Sequence, residues 1–564
     1  MYEAGIEHIF ANLGTDHVSI IEELARWEEE GRPHPDVVLC PHENVAMHMA
    51  GGYAALTGRG QAVLVHVDVG TANAAVAAHN LYRARLPAFL MAGRAPFSSR
   101  GELPGGRDNY VHFVQDPYDI GSLVRPYLHW EYCLPSGVVA KEAFARGYAM
   151  MQAEPRAPVY MTLPREVLAE EIEDAKVKSF PASRFAGLPA RGTDPATAAQ
   201  IAEALIAAKN PVAFTAYLGR NPAAVPVLEA LALEVGMRVV ENSPFHLNIA
   251  HDSPCFAGFD PKFLAAETDC GLLLDVDVPW IPLTVQENPA AAWIHVDVDP
   301  LKRDLPVWSF PAQLRVAGDC GTVLSQVREI VRERADEAFR SKVAARIASW
   351  EPDRQARTNA AAAAAAKPGE PDALNPAWAL ATLGRFLSPE DIVVNEAVRN
   401  VLVVLAQIRR SVPGTYLGLA GGGLGFSGGM ALGAKLACPE RRVVQIVGDG
   451  SFHFSTPDSV YATAQQYGLP ILTVVLDNRG WQAVKEATLK VYPDGTALRH
   501  DSFQSRLDGR RNDSRRHFEE VGRAFGAHGE RVTHPEELEP AICRCLDALD
   551  KNQAAVLTLR IAPL

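Results

Sequence analysis

Between Val443 and Trp481 the chain reads VVQIVGDGSFHFS, then an amphipathic stretch, then a β-branched run closing on LDNRGW. The apolar run Val443–Val447 has the pattern of a buried parallel strand, and Gly448-Asp449-Gly450-Ser451 is where it turns. Glycines on both sides of Asp449 permit a tight turn and let the backbone approach a phosphate closely. The next run, Ile471–Leu476, ends at Asp477-Asn478, so both strand ends converge on one sheet edge, where open α/β sheets bind ligands. A hard cation such as Mg2+ takes carboxylate, amide and backbone oxygens and keeps phosphate as a partner. Asp449, the Asn478 side chain and a backbone carbonyl near Gly480 supply such a set. Gly-Asp-Gly alone is an ordinary turn; the second strand ending in Asn is what gives it weight.

Three more residues carry chemistry near the start. Glu43 lies in CPHENVAMHMAGGYA, after a strand ending at about Leu39, on the first turn of a helix full of small and apolar residues. A carboxylate there suits the helix dipole, and a buried one is poised for proton transfer. His66 stands between a strand and a helix in VHVDVGTAN, and imidazole titrates near the working pH. A strand-end histidine serves equally as a structural hydrogen-bonding group. Thr15 sits in the turn FANLGTDH, where Thr or Asp also fits a helix N-cap.

To position these groups the chain needs strands whose ends meet. Short apolar runs alternate with amphipathic stretches, which predicts parallel sheets with helices on both faces. Strands are expected at Val37–Leu39, Ala62–Val67, Ala88–Ala92 and Pro158–Thr162, with helices His42–Leu56 and Ala72–Ala84 between them. A break follows near Ser179–Pro195, and Pro211–Thr215, Met237–Val240, Gly271–Leu274 and Ala292–Val296 repeat the pattern up to a helical run ending about Trp350. The last part adds Ile392–Asn395, Arg442–Val447, Ile471–Leu476 and Ala555–Arg560. The fold class is therefore α/β, three consecutive doubly wound parallel-sheet domains over 1–180, 181–350 and 377–564, joined by a linker at 351–376 rich in Ala, Pro and Gly.

Composition excludes several function classes. Hydrophobic residues are 48% and charged residues 21%, ordinary for a globular chain of 564 residues. A net charge of -13 argues against nucleic acid; the nearest basic cluster, Arg510–Arg511 with Arg515–Arg516, reads as a polar loop. Eight scattered cysteines without a CxxC pair read as reduced thiols, not a disulfide framework or zinc site. Neither a signal peptide nor an uncharged apolar run of 18 residues is present, so a soluble cytoplasmic protein without a membrane partner is expected.

The GDGS…DN stretch and the HENVAMHMAGGYA stretch, in that spacing from the two ends, resemble the thiamine-diphosphate-dependent superfamily of benzoylformate decarboxylase, acetolactate synthase and pyruvate decarboxylase. The resemblance covers nearly the whole chain and implies a pyrimidine-binding, a central Rossmann-like and a diphosphate-binding domain, with thiamine diphosphate and Mg2+ as cofactors. It implies that Glu43 protonates the aminopyrimidine ring, and that Leu424, in Gly421-Gly422-Gly423-Leu424-Gly425, wedges beneath the cofactor. Asn478, not Asp477, becomes the metal ligand beside Asp449 and Gly480. Asn395 and Ala397 fall in the first diphosphate-contact loop, although Ala397-Val398 replace small hydroxyl residues there; Arg399 offers a compensating charge. His66 becomes a proton donor or acceptor at the substrate, and Thr15 takes the place of a serine that binds the substrate carboxylate.

Beyond Ala397-Val398, this chain departs from the pattern in three places. Asp477 replaces the first Asn of the pair, an extra carboxylate that either strengthens metal binding or faces solvent. The segment holding Thr456-Pro457-Asp458 is about two residues longer than usual. Val278-Pro279-Trp280-Ile281-Pro282 stands where a second active-site histidine is expected, leaving His112 as the nearest substitute. The activity implied is decarboxylation or carboligation of a 2-oxo acid, with an aldehyde as the other small-molecule partner. A 2-hydroxyacyl-CoA lyase or oxalyl-CoA decarboxylase is the alternative, suggested by Leu-Leu-Leu before Trp280. A catalytically silent subunit is disfavoured by the presence of Glu43, Asp449 and Asn478, and a nicotinamide dehydrogenase by the lack of GxGxxG in the central domain. The family's sites lie between subunits, so a homodimer or homotetramer is expected. FAD in the central domain is left open, and the start of the chain, which falls inside the family's first helix, is expected to be a shortened one.

Overall fold

The computed structural model describes residues 1–181, 184–185, 187–506 and 516–563. Three parallel sheets follow one another along the chain. The first holds β1 (His8–Ala11), β2 (Asp36–Leu39), β3 (Gln61–Val65), β4 (Ala88–Arg94), β5 (Trp130–Cys133) and β6 (Val159–Pro164), in the order β2-β1-β3-β4-β6-β5. The second holds β7 (Pro211–Thr215), β8 (Arg238–Glu241), β9 (Cys270–Leu274), β10 (Ala292–Asp297) and β11 (Leu314–Ala317), in the order β11-β10-β9-β7-β8. After a small antiparallel pair, β12 (Gly369–Glu370) with β13 (Ala373–Leu374), comes the third sheet. Its strands are β14 (Ile392–Glu396), β15 (Tyr416–Leu417), β16 (Val443–Gly448), β17 (Leu472–Asp477), β18 (His528–Val532) and β19 (Ala555–Arg560), ordered β15-β14-β16-β17-β19-β18. The central strands are buried on both faces and read as unbroken apolar runs, as doubly covered parallel strands must.

Two expectations change. The stretch 351–376, read as linker, carries the helix Glu351–Ala364 and then the β12–β13 pair. Its alanines are strong helix formers, and Lys367-Pro368-Gly369 stops them. The strand expected to run to Val67 ends at Val65, because Val67 already opens the helix Val67–Arg83 with φ +40°. A β-branched residue in that region is strained, and the strain lies beside His66. Arg510, Arg511 and Arg515 of the expected polar loop lie outside the described residues. All eight cysteines are free, and no described helix is long and apolar enough to cross a membrane.

One helix pair ties the first sheet to the third. Helix Glu43–Thr57 starts under a His42 side-chain cap on Asn44 N–H and stops at Gly58 in the left-handed conformation. It packs on helix Ser427–Ala437 with backbone against backbone: a Cβ on Gly52 would lie 2.1 Å from Met430 O, and one on Gly433 2.1 Å from Met49 O. Only glycine fits at those two positions.

Candidate active site

Asp449 follows β16 directly and opens the short helix Asp449–Phe454, so its carboxylate stands at the carboxyl end of a central strand. It is buried; Oδ1 accepts from Gly450 N–H at 2.9 Å, while Oδ2 has no hydrogen-bond partner. Burial, reinforced by the neighbouring charge of Asp477, pushes its carboxyl up to about 7, with Arg516 pulling the other way. Asn478 and Gly480 come from the turn after β17. With its NH2 turned inward, Asn478 donates to Gly480 O at 2.7 Å and to Asp449 Oδ1 at 3.2 Å. Turned oxygen-inward, the same three groups offer one carboxylate, one amide and one carbonyl oxygen to a single point. That set and the orphaned Oδ2 fit a hard cation. Among the described residues no cluster of three or more His, Cys, Asp or Glu competes with it.

Beside the cation position the backbone leaves room for a phosphate. The first atom a Cβ on Gly448 would meet is Ala397 O at 3.9 Å, and Ser451 is buried in the first turn of the helix. Asn395 does not face this cradle: its Nδ2 donates to Tyr416 Oη at 3.1 Å and its Oδ1 accepts from Ala397 N–H at 3.1 Å. It shapes the turn instead of contacting a ligand there. Arg399 also turns away, pairing with Glu486 at 2.9 Å. Asp477 neither joins the metal set nor meets solvent; it is buried, with Oδ2 on Arg560 Nη1 at 2.5 Å.

Leu424, half-buried, rides on a loop held from three sides. Asn80 donates to Gly423 O at 2.8 Å and accepts from Gly423 N–H at 3.1 Å, and Asn44 donates to Gly425 O at 3.2 Å. Glu396 accepts from Gly425 N–H at 2.5 Å and from Ser427 N–H at 3.0 Å. Sequence reasoning passed over Glu396; the signal was a carboxylate inside an apolar strand. Burial pushes it up to about 7 against those hydrogen bonds. The loop that carries Leu424 thus touches Asn44, on the first turn of the Glu43 helix, within one chain.

Glu43 is buried at the start of its helix. Asn73 Nδ2 donates to its Oε2 at 3.0 Å, and a Cβ on Gly70 would come within 3.2 Å of its Oε1. Across the same sheet edge, His66 Nδ1 and Asp16 Oδ1 share a hydrogen bond of 2.5 Å. That bond raises the His66 pKa, against partial desolvation. Asp16 is itself buried, with His17 Nε2 3.2 Å from its other oxygen. Gly14 and Gly93 make the space: a Cβ on Gly14 would sit 2.0 Å from His66 Nδ1, and one on Gly93 1.4 Å from Asp16 Oδ2. Thr15, the expected contact, is exposed on this loop, and the buried group that engages His66 is its neighbour Asp16. Gln115 also reaches the His66 ring, while His112 is turned to Asp108 N–H at 3.3 Å. Trp280 is core, packed edge-on against Phe214, so the 278–282 segment provides no substitute histidine.

Comparison with known proteins agrees with this geometry. The thiamine pyrophosphate enzyme N-terminal TPP binding domain matches residues 1–122, and the C-terminal TPP binding domain residues 400–559. Benzoylformate decarboxylase of Pseudomonas aeruginosa is 26% identical over 562 residues, covering 96% of this chain and 94% of its own. Acetolactate synthase isozyme 3 large subunit of Escherichia coli is 24% identical over 540 residues, covering 93% and 88%. The solved 4-hydroxybenzoylformate decarboxylase of Rhodococcus jostii superposes with a TM-score of 0.77 at 20% identity, covering 100% of this chain and 98% of its own. With both halves of the fold matched and the phosphate and carboxylate ends built as described, the chain belongs to the thiamine pyrophosphate (thiamine diphosphate) enzyme family.

Proposed function

We propose that this chain breaks or forms the carbon–carbon bond beside the carbonyl of a 2-oxo acid, as a decarboxylase or carboligase using thiamine diphosphate and Mg2+. The observation that carries the cofactor reading is the convergence of Asp449, Asn478 and the Gly480 carbonyl beside an orphaned carboxylate oxygen. Those three groups hold the metal, and Gly448, Gly450, Ser451 and the Ala397 carbonyl border the diphosphate. Leu424 would support the cofactor. Bound thiamine diphosphate supplies an electron sink next to the substrate carbonyl. Glu43, held by Asn73, would exchange a proton with the aminopyrimidine ring. His66, held by Asp16, gives or takes a proton at the substrate, and Thr15 meets the substrate at the mouth. The division into 1–180, 181–350, linker 351–376 and 377–564 is kept as the working domain assignment. Eight free thiols suit a reducing compartment such as the cytoplasm. Self-association draws support from exposed Tyr110, Phe113, Val114 and Tyr118 near Gln115, an apolar face that a second copy can cover.

The test is a panel of 2-oxo acids and acyl-CoA esters with cofactor and Mg2+, following CO2 and aldehyde separately. CO2 release from at least one 2-oxo acid, abolished in Asp449→Asn, is expected. Turnover of CoA esters alone would move the substrate class, and turnover of nothing would favour a silent subunit.

The central domain is proposed to carry no flavin. Its β9 and β10 end at Asp275 and Asp297, where an open sheet takes a ligand, and Arg85 from the first domain fills that edge. Its guanidinium lies 3.1 Å from Asp275, 2.9 Å from Asp277 and 3.1 Å from Asp297, and Lys302 Nζ lies 2.6 Å from Asp297. The purified protein is expected to show no visible flavin absorbance; a yellow protein whose chromophore leaves on denaturation would overturn this.

A further inference from the structure

We infer that Arg516 is a second cation of the phosphate end, one that contacts the cofactor's diphosphate directly; this rests on the site reading above. The departure from the family pattern at Asp477 is where it starts. Asp449 and Asp477 place two buried carboxylates at adjacent strand ends, and two guanidiniums answer them. Arg560 is bonded directly to its carboxylate, because β17 and β19 pair Asp477 with Arg560 in register and Arg560 Nη1 donates to Asp477 Oδ2 at 2.5 Å. Arg516 is not. Its Nη1 lies 3.8 Å from Asp449 Oδ2 and its Nη2 3.6 Å from Asp477 Oδ1, near enough for attraction and too far for hydrogen bonds.

All three guanidinium nitrogens of Arg516 are buried and without a hydrogen-bond partner. Leaving buried charged donors unmatched is costly, so this guanidinium is disposed to take an acceptor with several oxygens. Arg516 is nevertheless held. Arg531 Nη1 donates to its backbone carbonyl, and its guanidinium carbon lies 5.4 Å from the centre of the Phe518 ring. Phe518 in turn packs on Phe452 of the Asp449 helix, with ring centres 5.5 Å apart. The planar fork therefore stands beside Asp449, the residue after Gly448, where an added Cβ would meet nothing nearer than Ala397 O at 3.9 Å. With Asp449 given to a metal ion, Arg516 would keep Asp477 as its ionic partner and would have donors for a phosphate, which suits guanidinium geometry.

Titration calorimetry on the full chain, freed of cofactor and saturated with Mg2+, tests this with thiamine diphosphate, thiamine monophosphate and thiamine. Arg516→Gln is expected to lose roughly tenfold or more in affinity for the diphosphate, less for the monophosphate, and none for thiamine. Arg516→Lys, which keeps the charge but not the fork, falls between. Mn2+ alone, followed by electron paramagnetic resonance, is expected to bind Arg516→Gln at least as tightly as wild type, since a competing cation has gone. Wild-type affinity for thiamine diphosphate in a folded Arg516→Gln protein overturns the proposal and leaves Arg516 as counter-charge for the two aspartates. If wild type does not bind thiamine diphosphate, or Asp449→Asn binds it undiminished, the site reading itself falls and this inference with it.

Discussion

Glu43→Gln is expected to bind thiamine diphosphate with near wild-type affinity and to lose about 100-fold or more in kcat. The substitution keeps the side chain's size and its ability to accept from Asn73, whose Nδ2 lies 3.0 Å from Oε2. It removes only the ionisable oxygen, so helix Glu43–Thr57 and its glycine contacts remain in place. The surroundings also explain why the residue tolerates burial: a first-turn carboxylate meets the positive end of its helix, and Gly70 lets the neighbouring backbone come close. Calorimetry for binding and steady-state rates on the responsive 2-oxo acid separate the two quantities. Normal turnover in Glu43→Gln would remove Glu43 from the mechanism, whereas loss of binding together with turnover would make it a structural group.

Asp16→Asn has the second large effect, and its signature is in pH. The hydrogen bond to Asp16 holds the His66 pKa above its ordinary value despite partial burial, with Gln115 and Asp68 adding in the same direction. His17, also facing Asp16, is held below its ordinary value by burial, so it stays neutral where His66 is charged. A raised histidine contributes stability that is complete below its unfolded pKa and is lost as pH rises through the folded pKa. Removing the Asp16 charge therefore destabilises the protein more on the acid side than at alkaline pH. It also moves the pH limb governed by protonated His66 downward. Ring-proton NMR resolves the His66 titration, and the pH profile of kcat reports the same shift. A His66 titration unchanged in Asp16→Asn would mean the 2.5 Å contact does not set the proton affinity of the ring.

Asp449, Asn478 and Gly480 were legible in the sequence because each sits within a few residues of a strand end, and local pattern marks strand ends. Asp16 was not. It meets His66, 50 residues on, because β1 and β3 pair in parallel with Ala11 opposite Leu64, which brings the turns after both strands to one edge. Thr15, one residue earlier, had the more familiar chemistry but the exposed position. Arg560 became partner to Asp477 through the same kind of register across β17 and β19. Such pairs are decided by strand order, which periodicity does not contain. The strands β1, β5, β11, β12, β13, β15 and β18 also escaped, each five residues long or shorter, while longer buried strands stood out as apolar runs. The helix at Glu351–Ala364 was legible only in part, since an alanine run can be helical up to the prolines but suits a spacer equally.

The close approach of Gly52 to Met430 and of Gly433 to Met49 bears on how this molecule can vary over time. Where side chains fill an interface, a loss on one side is repaired by a gain on the other. Here two main chains touch, with Cβ positions 2.1 Å from carbonyl oxygens on each side, so there is no volume to trade. The gauge between the wall bearing Glu43 and the wall bearing Leu424 is thereby fixed by the thickness of two helices. The loops that carry His66 and Thr15 lie outside this helix contact, so sequence change there leaves the gauge as it is.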